Sequence, residues 1–159
     1  MKILGIDPGT ATTGFGVILT DGMKRQLVDC GVILTHKERT HSQRLHELHT
    51  DLTALIQKHR PDVVAVEKLF FASNVTTAMK VGEARGVILL ALEQAGLPIA
   101  EYTPLQVKQT VTGYGQAKKP QIQELVRLQL KLTVIPKPDD AADALAIALT
   151  HAAQVKTRG

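Results

Sequence analysis

The feature that most constrains the fold is a short, almost entirely apolar run, DVVAVE, at Asp62–Glu67. A strand with one face in water alternates apolar and polar residues, whereas a strand buried on both faces is apolar almost throughout. This run therefore predicts a central strand of a sheet that is covered on both sides.

Other strands are predicted on both sides of this run in the sequence. The Asp-Gly pair at positions 21–22 is typical of a tight hairpin, so the strands that flank it are expected to be antiparallel neighbours. The predicted strands are Lys2–Asp7, Gly14–Leu19, Gln26–Thr35 and Pro98–Tyr102.

Helices are predicted for most of the remaining chain. In Ser42–His59, leucine and isoleucine recur every three or four residues and form one apolar stripe, and Pro61 ends this segment. Further helices are predicted at Thr76–Ala95, around Pro104–Val111, at Pro120–Leu132 and at Asp140–Val155. This order predicts an α/β fold, in which a mixed five-stranded sheet is flanked by helices. We expect a single domain over residues 1–159, with the last few residues as a flexible tail.

Composition excludes several classes of protein. The longest apolar run, Gly86–Leu92, is too short to cross a bilayer, and the apolar run at the N-terminus is too short for a signal peptide. Cys30 is the only cysteine, which excludes an internal disulfide and a cysteine-based zinc site. These features indicate a cytoplasmic protein. The net charge of +4 is compatible with a polyanionic partner but does not identify one.

Carboxylates stand at the boundaries of three apolar segments. Asp7 ends the first strand, Glu67 ends the apolar fourth strand, and Asp140 and Asp143 share one face of the last helix. If the first and fourth strands are adjacent, Asp7 and Glu67 emerge side by side, and the last helix could bring its aspartates to the same place. Simpler interpretations remain open, because aspartates cap helices and an Asp-Pro-Gly sequence suits a turn.

Four carboxylates in one place would repel one another strongly, and divalent cations would remove that repulsion. Carboxylate oxygens are ligands that suit Mg²⁺ or Mn²⁺. Two such ions about 4 Å apart can promote hydrolysis of a phosphodiester bond. The pattern of carboxylates therefore favours a two-metal nuclease.

Aromatic and basic residues close to these carboxylates would fit a nucleic-acid substrate. Phe70 follows Glu67 closely and could stack on a base, although burial in the core is also an open interpretation. Lys108 lies in a predicted helix, and Lys118 and Lys119 follow a glycine-rich loop. These lysines could hold phosphates or simply face solvent.

Five segments together resemble a known family. They are GIDPGTATTGFGVI, VEKLFF, ARGVILLA, YTPLQVKQTVTGYGQAKKPQIQ and DDAADALAIALTHA. In this order, and over essentially the whole chain, they are similar to the RuvC-type Holliday junction resolvases. The resemblance implies a ribonuclease H-like fold, a homodimer, and Mg²⁺-dependent cleavage of two opposed strands of a four-way DNA junction. It also implies action with the RuvA and RuvB branch-migration complex in bacterial recombination and DNA repair.

The resemblance also implies a role for each matching residue. Two Mg²⁺ ions per active site, for which Mn²⁺ could substitute, would be bound by the catalytic carboxylates Asp7, Glu67, Asp140 and Asp143. Phe70 would stack at the opened centre of the junction. Lys108 and Lys119, with Lys118 beside them, would contact the DNA near the scissile phosphate. Hydrolysis would leave 5′-phosphate and 3′-hydroxyl ends.

Three other functions share parts of this pattern. The segment DPGTATTG also resembles the phosphate loop of actin-like kinases and ATPases, but those proteins need two lobes and 159 residues supply one. A ribonuclease H acting on RNA–DNA hybrids would share the chemistry and differ in substrate. A non-catalytic junction-binding module would share the fold, although the presence of all four carboxylates argues against it.

Overall fold

A mixed sheet of five strands forms the centre of the part of the chain that the computed structural model describes, residues 1–68 and 74–156. The strands are β1 (Lys2–Asp7), β2 (Thr12–Thr20), β3 (Arg25–Leu34), β4 (Val63–Glu67) and β5 (Ile99–Tyr102). Their order is β3-β2-β1-β4-β5; β2 is antiparallel to β1 and β3, whereas β4 is parallel to β1 and β5. The predicted hairpin is confirmed. The first and fourth strands are neighbours, which is the condition under which Asp7 and Glu67 are expected to emerge side by side.

Five helices in these residues flank the sheet, and they confirm the predicted α/β class. They are α1 (His41–His59), α2 (Val75–Gln94), α3 (Pro104–Thr112), α4 (Lys119–Gln129) and α5 (Asp139–Lys156). None of the helices in the described ranges is long and apolar enough to cross a membrane.

The apolar strand β4 is buried on both faces, as its sequence predicts. Val63 and Ala65 pack in a core with residues of α3, α4 and α5, whereas Val64 and Val66 pack in a second core with α1 and α2. Successive side chains of a strand point to opposite faces, so a strand between two helical layers needs apolar residues at every position.

One predicted helix end is wrong by three residues. The sequence predicts a helix that continues to Leu132, but α4 ends at Gln129. Lys131 adopts a left-handed φ of 55°, and the N–H of Leu132 donates a hydrogen bond of 2.9 Å to the carbonyl of Arg127. This turn stops the helix, because a left-handed residue takes the chain away from the helix axis. The predicted flexible tail falls on residues that the structure does not describe.

Helix α5 lies directly against β1 and β2, and glycines in these strands make that approach possible. A Cβ atom on Gly5 would overlap the backbone carbonyl of Ala144, and one on Gly14 would overlap the carbonyl of Asp140. The side chains on the buried side of the helix are also small, since they include the alanines at positions 141, 144 and 148. A larger residue at Gly5 or Gly14 would therefore clash with the backbone of α5.

The parallel strands β1, β4 and β5 all end at the same edge of the sheet. We call it the carboxyl edge, and it carries Asp7 and Glu67. The N-terminal turn of α5 reaches this edge, because Asp140 lies against Gly14, the residue opposite Asp7 in the β1–β2 pair. The fold thus brings the ends of β1 and β4 and the start of α5 to one place.

The substitution Gly5→Ala tests this close approach. We expect it to lower the free energy of unfolding by about 1–3 kcal/mol, measured by urea denaturation, because the new methyl group would displace the backbone of α5. Gly31→Ala on the edge strand β3 is the matched control. Its Cβ would lie 3.1 Å from ring carbons of Phe15, a side chain that can move, so a smaller loss is expected. Wild-type stability of Gly5→Ala would contradict the account.

Candidate metal centre

Three carboxylates meet where β1 ends. One oxygen atom from each of Asp7, Asp140 and Asp143 lies within 4.8 Å of the other two. All three residues are partly buried. The structure therefore brings together three of the four carboxylates that the sequence singles out.

The positions of these three side chains follow from the local fold. Asp7 is the last residue of β1, so its side chain lies at the carboxyl edge and not in the core. Asp140 and Asp143 are three residues apart in the first turns of α5 and therefore point to one side of it. The contact of Gly14 with the backbone of Asp140 holds that side next to Asp7.

The fourth carboxylate, Glu67, joins the group through Asp7. It ends β4, the strand beside β1, and its carboxylate accepts a hydrogen bond from the carboxyl group of Asp7. Two carboxyl groups can share a hydrogen bond only if one of them carries a proton. The pair of Asp7 and Glu67 therefore holds a proton when no cation is bound.

Arg85 of α2 anchors the end of β4. Its Nε donates a hydrogen bond of 3.3 Å to the backbone carbonyl of Glu67, and its guanidinium lies 3.0 Å from the carboxylate of Glu101 on β5. This contact steadies the backbone from which Glu67 projects. Sequence reasoning did not identify it, because no spacing pattern links an arginine in a helix to a strand end 18 residues earlier.

Burial and mutual repulsion make these carboxyl groups unusually basic. The pKa of Asp7 is raised from 3.8 to about 8, first by burial and then by the neighbouring charges of Glu67, Asp143 and Asp140 and the hydrogen bond to Glu67. Burial also raises the pKa of Glu67, although the hydrogen bond from Asp7 acts in the opposite direction. Without a cation, the group therefore holds at least one proton at neutral pH.

Lys119 is the basic residue in direct contact with the group. Its Nζ lies 3.3 Å from the carboxylate of Asp143 and 3.6 Å from that of Asp139. Burial raises the pKa of Asp143, and Lys119 opposes that shift. Partial burial lowers the pKa of Lys119, but the contact with Asp143 and the charges of Asp139 and Asp140 together outweigh it, so this pKa is raised.

The chemistry of the donor set fits a divalent cation. All of the donors are carboxylate oxygens, which Mg²⁺ and Mn²⁺ favour, and three of them already converge. Burial raises the pKa of Asp7, and the negative charges of the neighbouring carboxylates raise it further, so these charges are not fully compensated. A cation would offset this charge, so the residues present suit a metal site.

A cleft of about 450 Å³ opens beside the carboxylates on the side of α3, α4 and α5. Lys108, Lys118 and Lys119 line it together with Glu67 and Asp143, and we call it the lysine cleft. The structure thus places all three predicted lysines next to the carboxylates. Phe70 lies outside the residues that the structure describes.

A groove of similar size, about 510 Å³, separates the C-terminal ends of α1 and α2 at the opposite edge of the sheet. Its lining contains no carboxylate. It therefore takes no part in the candidate metal centre.

The raised pKa of Asp7 predicts that this residue destabilises the cation-free protein. Between pH 3.8 and about 8 the folded protein binds a proton at Asp7 that the unfolded chain does not bind, so the free energy of unfolding falls as the pH rises through this range. Asp7→Asn keeps a hydrogen-bond donor for Glu67 and removes the titration. In EDTA at pH 8, we expect Asp7→Asn to melt about 5 °C above the wild type.

The comparison should be made by thermal denaturation from pH 5 to 9. The difference in melting temperature between Asp7→Asn and the wild type should grow up to about pH 8 and then level off. Saturating Mn²⁺ should raise the melting temperature of the wild type more than that of the variant. Asp51→Asn, on the exposed surface of α1, is the control and should show no such trend. A lower melting temperature for Asp7→Asn than for the wild type in EDTA at pH 8 would contradict the account.

Comparison with known proteins agrees with this geometry. Residues 3–151 match the family model described as crossover junction endodeoxyribonuclease RuvC. The crossover junction endodeoxyribonuclease RuvC of Chloroflexus aurantiacus is 57% identical over 152 residues, which cover 96% of this chain and 93% of that protein.

Two solved structures extend the comparison. Thermus thermophilus RuvC in complex with Holliday junction substrate superposes with a TM-score of 0.94 at 39% identity, covering 99% of this chain and 96% of that one. The yeast mitochondrial Holliday junction resolvase Ydc2 has a TM-score of 0.69 at 16% identity, covering 98% and 81%, and so shares the fold, which is ribonuclease H-like. The chain belongs to the RuvC family of crossover junction endodeoxyribonucleases.

Proposed function

We propose that this protein resolves Holliday junctions in homologous recombination and DNA repair, by cutting two opposed strands of a four-way DNA junction through phosphodiester hydrolysis. The observation that carries the proposal is the convergence of Asp7, Asp140 and Asp143, with Glu67 hydrogen-bonded to Asp7, in a member of the RuvC family. Four carboxylates at one edge of the sheet suit phosphoryl-transfer chemistry better than binding alone.

The four carboxylates Asp7, Glu67, Asp140 and Asp143 are proposed as the catalytic metal ligands, with two Mg²⁺ ions per active site and Mn²⁺ able to replace them. Bound cations would supply Lewis acidity and offset the negative charge that develops on the reacting phosphate. Asp7 must lose its proton before it can act as a ligand, because a protonated carboxyl group has lost the charge that binds the cation. The hydrogen bond from Arg85 to the backbone carbonyl of Glu67 positions the end of β4, and with it Glu67, for this role.

The lysine cleft is proposed to receive the DNA strand that is cut. Lys119, which now contacts Asp143, and Lys108 would hold the phosphates around the scissile bond, with Lys118 beside them. Phe70 is proposed to stack on a base at the opened centre of the junction. The products would carry 5′-phosphate and 3′-hydroxyl ends, which a ligase can seal.

A homodimer is proposed, since two active sites related by a two-fold axis would match two symmetric cuts. An exposed stripe along α2 supports it. Val75, Met79 and Leu90 are 70%, 62% and 53% exposed, and they lie on one side of the helix with Gly86. Apart from the adjoining turns of α2, a Cβ at Gly86 would meet no atom of the described residues within 4 Å, so a second backbone could approach closely there. Action with the RuvA and RuvB complex in the bacterial cytoplasm completes the proposal.

Cleavage of a labelled synthetic four-way junction tests the proposed function. With Mg²⁺, we expect paired symmetric nicks in the junction, ligatable ends, and no cutting of linear duplex DNA. EDTA should abolish the reaction. Asp7→Asn should slow it on the order of 100-fold or more, because a carboxylate that would hold the charge-stabilising cation is lost.

The surface variant Asp51→Asn is the matched control and should cut at the wild-type rate. An RNA–DNA hybrid should be run alongside, and preferential cutting of the hybrid would assign the protein to ribonuclease H instead. Tight junction binding with no cuts in Mg²⁺ or Mn²⁺ would contradict catalysis and indicate a binding module.

A further inference from the structure

A second cleft opens at the carboxyl edge, on the opposite side of the sheet from the lysine cleft. It has a volume of about 480 Å³ and lies between the β1–β2 loop and the N-terminal parts of α1 and α2. Arg39, Arg44 and Lys80 are among the residues that line it, and we call it the arginine cleft. None of these three residues has a part in the proposed function above.

Hydrogen bonds connect this cleft to the loop that follows Asp7. The hydroxyl of Thr10 donates to the backbone carbonyl of Lys80 at 3.1 Å, and the hydroxyl of Thr35 donates to the carbonyl of Thr10 at 2.8 Å. Arg44 in turn donates from Nε to the hydroxyl of Thr35 at 2.8 Å. The basic side chains are therefore held in a fixed relation to the loop that starts at the metal centre.

Most of the positive charge in the arginine cleft is uncompensated. Arg39 lies 3.4 Å from the carboxylate of Glu47. Within residues 1–68 and 74–156, by contrast, neither Arg44 nor Lys80 forms an ion pair. The first turns of α1 and α2, which also face this edge, contain no acidic residue. Such a cleft attracts an anion, and its three cations surround a space that is open to solvent.

We propose that the arginine cleft binds the phosphodiester backbone of the DNA on the far side of the scissile phosphate from the lysine cleft. This inference rests on the proposed function. A DNA strand whose reacting phosphate lies at the carboxylates extends from that phosphate in two directions along the carboxyl edge. The lysine cleft accommodates one direction, and the arginine cleft is the basic surface in the other. Contacts to phosphates position a nucleic acid without reading its sequence, so the site would act on all junction sequences alike.

The test compares two charge-matched double variants. Arg44→Gln/Lys80→Gln removes two cations from the arginine cleft. Lys24→Gln/Lys131→Gln removes two exposed lysines beside the β2–β3 hairpin, at the opposite edge of the sheet. Lys80→Gln alone is a third variant. It should not affect the fold, because Lys80 is exposed and its ammonium forms no ion pair in the described residues.

Junction binding is measured by fluorescence anisotropy in EDTA between 50 and 200 mM salt, because phosphate contacts are sensitive to salt in this range.

The logarithm of the binding constant falls linearly with the logarithm of the salt concentration. Each lost phosphate contact should make the slope of this line less steep by about 1. We expect a change of about 2 for Arg44→Gln/Lys80→Gln, about 1 for Lys80→Gln, and none for the hairpin control. Equal losses in the arginine-cleft and hairpin variants would indicate a general charge effect and overturn the proposal, as would unchanged slopes in every variant.

Cleavage by the wild type separates this inference from the function on which it rests. If the wild type nicks the junction in Mg²⁺ but the slopes do not change, the arginine cleft is not a DNA site and the resolvase function stands. If the wild type makes no cuts in Mg²⁺ or Mn²⁺, the proposed function fails and the inference fails with it.

Discussion

The structure depends above all on the close contact between α5 and the first two strands. Helices and sheets usually meet through layers of large side chains, whereas here Gly5 and Gly14 meet the backbone of α5. Alanines on the facing side of the helix keep that contact close. Because Asp140 lies against Gly14, and Gly14 pairs with Asp7, the same contact that packs the core also sets the distance between the carboxylates of the metal centre.

That geometry has an electrostatic consequence. Burial raises the pKa of Asp7 to about 8, together with the negative charges of Glu67, Asp143 and Asp140 and the hydrogen bond to Glu67. Lys119 compensates only part of this charge, through Asp143. Without a cation, the repulsion between these carboxylates and their burial therefore destabilise the fold, and the packing of α5 must outweigh this cost. Cation binding would therefore be coupled to folding, since a ligand that neutralises the carboxylates would also stabilise the fold.

Much of this arrangement was predictable from the sequence, because it depends on local patterns. The apolar run at Asp62–Glu67 predicts a central strand, and the boundary carboxylates predict a shared site if the first and fourth strands are neighbours. The contact of Arg85 with Glu67 was not predictable, since it joins a helix to a strand end through tertiary packing alone. Nor was the end of α4, where a left-handed residue at Lys131 overrides the helical pattern. The arginine cleft was not predictable either, because its cations come from separate segments of the chain.

The central claim is that the glycine contact under α5 assembles the metal centre. It is tested most directly by titrating Mn²⁺ into wild type, Gly14→Ala and the control Gly31→Ala, using isothermal titration calorimetry on protein shown to be folded. A methyl group on Gly14 would displace Asp140, so the account predicts that Gly14→Ala binds Mn²⁺ about 10- to 100-fold more weakly while Gly31→Ala binds it normally. Wild-type affinity in a folded Gly14→Ala variant would contradict it.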